Sequence, residues 1–183
     1  MAIHPDLKSL LRESVREYLE VAEYCVSYRK DARWGTAQVG GCLGYTGAVM
    51  LFSIVDTIGS FHRGSTGISV VVDGKAVEIR KKGFQHFFIL NSDYYGQHLD
   101  ERTIKRLYDN FRNLLMHSAS RAPDHALIYA PDRSEAFPIV NSKQGVNLAP
   151  FLIAKRTAVS TFLERLDSVV PASDEARNIG LKR

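Results

Sequence analysis

Ile104-Lys105-Arg106-Leu107-Tyr108-Asp109-Asn110-Phe111-Arg112-Asn113-Leu114-Leu115-Met116-His117-Ser118 is an apolar-periodic stretch that carries an arginine, an asparagine and a histidine. At about 100° of turn per residue, Ile104, Leu107, Tyr108, Phe111, Leu114, Leu115 and Ser118 fall in one arc, the stripe a helix turns toward a core. Lys105, Arg106, Asp109, Asn110, Arg112, Asn113, Met116 and His117 fill the other arc. Asn113 and His117 are four residues apart and therefore neighbours on a helix. Arg112 lies about 100° to the side of Asn113 and reaches a shared ligand only by its length. Such groups handle phosphates and protons.

Working outward, Leu99-Asp100-Glu101-Arg102 reads as the start of this helix, with Asp100 as its N-cap. A second helix is predicted from Leu7 to about Lys30. There Leu7, Leu10, Leu11, Val15, Tyr18, Leu19, Ala22, Cys25 and Val26 recur at helical spacing, with Pro5-Asp6 as a start and Trp34-Gly35 as a stop. A last helix is predicted from Pro150 to Val169 or Val170, followed by a loosely held tail, Pro171 to Arg183.

From Thr36 to Phe61 the chain is almost uncharged. Asp56, four glycines (Gly40, Gly41, Gly44, Gly47) and the lack of flanking anchors favour a buried central helix over a membrane span. The glycine spacing lacks the GxGxxG and GxxxxGK[ST] patterns of phosphate loops, so it reads as close helix packing. Asp56, near the end of a buried helix, must be paired, hydrogen-bonded or solvated at a cleft, and both a structural ion pair and a site role are open to it.

Strand chemistry appears twice. Ile68 to Val72 and Ala76 to Ile79 flank Asp73-Gly74, which predicts a hairpin over residues 67–82 with Ile68, Val70, Val77 and Ile79 on one face. Lys75, Arg80, Lys81 and Lys82 make it basic. A second hairpin is expected over residues 125–140, from His125 to Ala130 and Ala136 to Val140, with Pro138 weakening its second strand. The aromatic run Phe84, Phe87, Phe88 reads as core.

The 183 residues, with no compositional break, suit a single domain. A net charge of +4 and pI near 9.1 favour an anionic partner, but the cations are dispersed, so charge alone does not indicate nucleic acid. Cys25 and Cys42, without CxxC or His/Cys spacing, argue against a metal site or a disulfide scaffold. The start, Met1-Ala2-Ile3-His4-Pro5-Asp6, shows no basic region followed by an apolar core, so a cytoplasmic protein is expected.

Arg112-Asn113-Leu114-Leu115-Met116-His117 resembles the R-N-x-x-x-H signature of the HEPN superfamily, small all-helical domains that bind nucleotides or RNA. The likeness covers the helical body, Leu7 to Ser118 and the C-terminal helix, with the hairpins as insertions. It implies a mainly α, antiparallel helical bundle that dimerises, the signature helices of two subunits forming one cleft. The implied activity is metal-independent endoribonuclease cleavage by 2′-hydroxyl attack, needing no cofactor, as in toxin or defence proteins that are held by an antitoxin. Other such domains only bind RNA or nucleotides, or dimerise.

Arg112, Asn113 and His117 are then the expected catalytic residues, with Arg112 on the phosphate, Asn113 orienting the histidine or donating to phosphate, and His117 moving protons. Asp56, Lys105, Arg106 and Asp109 are the expected substrate contacts. One histidine per chain and two per dimer supply an acid and a base. Met116, apolar within the polar arc, fits an interface there. HEPN toxins silenced by nucleotidylation carry a tyrosine two residues after the histidine; Ala119 stands there, which argues against that control. His62, His86, His98 and His125 receive no role.

Overall fold

The computed structural model describes residues 6–64, 66–113, 115 and 125–180. Helix α1, Leu7–Ser27, starts where the Asp6 carboxylate accepts the Ser9 N–H at 2.7 Å. It stops short of Lys30 because Tyr28 turns extended, and Arg29 Nη1 caps the end by donating to the Val26 and Tyr28 carbonyls. Trp34 and Gly35 lie beyond it, in two 3-10 turns, Ala32–Trp34 and Thr36–Gln38. Lys30 N–H donates to Gly41 O and Gly40 N–H to Lys30 O, closing the loop, and Leu43 N–H donates to Cys25 O. Helix α2, Gly44–Phe61, therefore begins beside the end of α1.

The central helix expected from Thr36 is thus shorter than its uncharged stretch. Within it Gly47, Ala48, Leu51, Phe52, Ile54, Val55, Ile58, Gly59 and Phe61 are all buried, which only a helix surrounded by others achieves. A Cβ added at Gly47 would stand 3.3 Å from Val26 Cγ2 and 3.4 Å from Cys25 Cβ, the close approach read from the glycines. Cys25 and Cys42 are free thiols, both buried. None of the described helices is long and apolar enough to cross a membrane.

The first hairpin forms as expected, with β1, Val70–Val72, paired antiparallel to β2, Lys75–Val77. Asp73 and Gly74 both take positive φ, 50° and 72°, as a two-residue I′ turn demands. Next comes a long 3-10 segment, Gly83–Asn91, which buries His86, Phe87, Phe88, Ile89 and Leu90. Helix α3, Glu101–Leu107, is capped by Asp100, whose carboxylate accepts Thr103 N–H at 2.6 Å. It runs into a π-helical stretch, Tyr108–Asn113. Ile104, Leu107, Phe111 and Leu115 are buried, as the apolar stripe required, and Tyr108 is half-buried; Leu114 and Ser118 lie outside the described residues.

The second hairpin is a different object from the one expected. Strand β3, His125–Ile128, pairs in parallel with β5, Lys143–Asn147, and β4, Ile139–Val140, pairs antiparallel with the other edge of β5. The middle strand carries Gln144, Gly145 and Asn147 and has little β propensity. Pairing comes instead from the side chains at its end: Asn147 donates to Ala130 O and accepts Ala130 N–H, at 2.8 and 3.0 Å.

Helix α4, Leu148–Ala172, contains Pro171, and a short helix α5, Asp174–Gly180, follows. The tail is accordingly docked through Gly180, contrary to expectation. Arg63 holds it twice, by its carbonyl to Asp174 N–H at 2.9 Å and by Nη2 to Glu175 Oε2 at 2.6 Å. The fold is mainly helical, and one hydrophobic cluster takes residues from every helix up to α4 and from both sheets.

On α4, Lys155 is fully buried, its Nζ donating to Tyr95 OH at 2.6 Å and lying 4.2 Å from that ring's centre. Burial drives the Lys155 pKa well below and the Tyr95 pKa well above their ordinary values, favouring the uncharged form of each. Between the depressed lysine pKa and 10.5 the unfolded chain binds the extra proton, so stability rises with pH across that window. The unfolding free energy of the wild type relative to Lys155→Met is expected to climb as pH rises toward 10.5, by up to about 1.4 kcal/mol per pH unit. Urea titrations at several pH values measure it; parallel curves overturn it.

Candidate functional site

Phe52 and Asp56 are one helical turn apart on α2 and share a face. The Phe52 ring lies 5.7 Å from Phe87 and 5.8 Å from Phe111, centre to centre. The neighbours of those two aromatics in sequence, His86 and Arg112, meet Asp56. Core packing of one residue pair thereby sets the geometry of the other.

His86 Nδ1 donates to Asp56 Oδ1 at 2.7 Å. Arg112 donates to the other oxygen, Oδ2, from Nη2 at 2.7 Å and Nε at 3.1 Å, while its Nη1 donates to Asn113 Oδ1 at 3.1 Å. The three bonds engage three of the five guanidinium N–H groups, and the remaining two have no partner among the described residues. The Arg112 side chain is about a quarter exposed, at 26%. Its guanidinium also lies 5.6 Å from the Tyr108 ring centre.

Burial pushes the Asp56 carboxyl up, but the His86 hydrogen bond and the Arg112 charge outweigh it and hold the group below the ordinary 3.8. Asp56 is therefore ionised at neutral pH, and the stability it gains from its partners is present above pH 3.8 and lost as pH falls through its lowered value.

No protein family, curated protein or solved structure matches this chain. The site accordingly rests on its own geometry. Of the expected residues, Asp56, Arg112 and Asn113 come together, and Asp56 forms an ion pair with Arg112. Asn113 offers its oxygen to Arg112, so it steadies the guanidinium. His117, Met116 and Ala119 lie outside the described residues. Lys105 and Asp109 pair with each other, four residues apart on the exposed side, and Arg106 is half-buried without an ion pair among the described residues.

His86 was missed by sequence reasoning. It is a lone imidazole in an aromatic run, and nothing in its spacing links it to Asp56, thirty residues earlier. The approach is made possible by Gly59: a Cβ there stands 2.0 Å from His86 O. His86 Nε2 is buried with no hydrogen-bond partner among the described residues. What His86 contributes here is the hydrogen bond from its other nitrogen to Asp56. His125 meets the same helix, where Asn110 Nδ2 donates to its Nε2 at 3.1 Å. Among the described residues no three His, Cys, Asp or Glu side chains gather as metal ligands do.

Proposed function

We propose that the chain is a metal-independent HEPN-type endoribonuclease, its helical body a bundle that works as a homodimer with the signature helices of two subunits facing each other. The observation that supports this best is the Asp56 carboxylate, which fixes the Arg112 fork from one oxygen and is itself fixed by His86 on the other. An arginine held this way takes a phosphate with little further ordering.

In the proposed reaction the ribose 2′-oxygen attacks the adjacent phosphorus and the bond to the 5′-oxygen breaks. His117 removes the 2′-hydroxyl proton, and its copy in the second subunit protonates the departing 5′-oxygen. Arg112 faces the charge that grows on the phosphorane oxygens. The products are a 2′,3′-cyclic phosphate and a 5′-hydroxyl.

Incubating the purified protein with loop-containing RNA in excess EDTA tests this. Cleavage is expected to persist, to give cyclic phosphate ends, and to stop at a 2′-deoxy nucleotide. Loss of activity on chelation, or 3′-hydroxyl ends, overturns it. Tight binding without cleavage selects the second reading, a non-catalytic RNA- or nucleotide-binding or dimerisation module, which the partial engagement of Arg112 by Asp56 also accommodates.

A further inference from the structure

Beside the Asp56 and His86 pair lies a pocket of about 240 Å³, lined by Asp56, Thr57, Ser60, Lys82, His86 and Glu175. Its charges do not cancel. Asp56 is neutralised by Arg112, and Glu175 by Arg63 at 2.6 Å. Lys82 has no ion pair among the described residues and is exposed, so its ammonium is the uncompensated charge of the pocket.

Two hydroxyls, of Thr57 and Ser60, complete its lining. Ser60 Oγ donates to Thr57 O at 2.8 Å, while the Thr57 hydroxyl has no hydrogen bond among the described residues. No Phe, Tyr or Trp lines the pocket, so a base finds nothing to stack on. The volume lies below the usual range for whole small-molecule ligands, about 300–1,000 Å³, and suits a single charged group.

We infer that this pocket is a second phosphate subsite, with Lys82 and Thr57 holding the phosphodiester next to the one bound by Arg112. The substrate is thus a polynucleotide strand, not a mononucleotide, and the strand runs over Asp56 from the signature helix to the 3-10 segment. The inference rests on the ribonuclease reading for the identity of its ligand.

Its test is the salt dependence of binding. A single-stranded 2′-O-methyl RNA, which cannot be cleaved, is titrated against wild type, Lys82→Gln and Thr57→Val at several salt concentrations. Lys82→Gln is expected to reduce the slope of log K against log salt by about 0.7, the loss of one phosphate contact on a single strand, and Thr57→Val to weaken binding with the slope kept.

Cleavage of unmodified RNA is followed in parallel. If wild type cleaves and Lys82→Gln keeps the wild-type slope, the subsite is wrong and the enzyme reading stands. If wild type binds with a Lys82-dependent slope and does not cleave, the enzyme reading is wrong and the subsite stands. If wild type neither binds nor cleaves, both are wrong.

Discussion

Arg112→Lys is expected to lower kcat/KM for RNA cleavage by about 10²- to 10³-fold, the usual loss when a pre-set donor to a developing anion is removed. The substitution keeps the charge and removes the fork. Arg112 contacts Asp56 from two nitrogens and Asn113 from a third, which leaves two N–H groups without a partner among the described residues. A lysine ammonium is a point charge; drawn to Asp56, it cannot also present a planar edge to phosphate. Stability should change by only about 1–2 kcal/mol, because a partly exposed pair retains its Coulomb attraction. Steady-state kinetics beside urea unfolding decide the matter: a folded variant within fivefold of wild type removes Arg112 from the chemistry.

Gly59→Ala is the second large effect expected, a loss of about 3 kcal/mol or more in unfolding free energy. Alanine is the better helix former by about 1 kcal/mol, so propensity alone predicts the opposite sign. The new methyl, however, stands 2.0 Å from His86 O and 2.6 Å from His86 C, both backbone atoms. Relief requires the whole 3-10 segment to retreat from α2, opening the Phe52–Phe87 stack and the His86 to Asp56 hydrogen bond. A variant as stable as wild type, by thermal and urea unfolding, shows that the approach is not needed. A stable variant that has lost cleavage points to the site alone.

The long elements were legible because their apolar residues repeat at the helical period over many turns, as in α1, α2 and α4. The first hairpin was legible from Asp73-Gly74, a turn with a strong local preference. The three-stranded sheet was not. Strand β5 carries no apolar alternation until Val146, its turn from β4 uses Asn141 and Ser142 at positive φ, and its parallel partner lies eighteen residues earlier, from His125 to Lys143. The tail was misread because Arg63 and Glu175, far apart in sequence, dock it.

The site divides along the same line. Arg112 and Asn113 were visible within one helix, and Asp56 was visible as a carboxylate in an apolar segment. Their union was not, because it depends on three aromatic rings meeting at Phe52 and on the backbone contact at Gly59, both products of tertiary packing. His86 belongs wholly to that second kind.

The parallel pairing of β3 with β5 carries an implication for the order of events at the ribosome. The strand that follows the signature helix finds its partner only after residue 143 has been made, and β5 leads directly into α4, whose Phe151 packs on Phe52. During synthesis the first two helices can pair early, whereas β3 waits for β5. The partners of the Arg112 cluster are all made by residue 113, whereas Phe151, which packs behind them on Phe52, arrives later, so the polar contacts precede their apolar support.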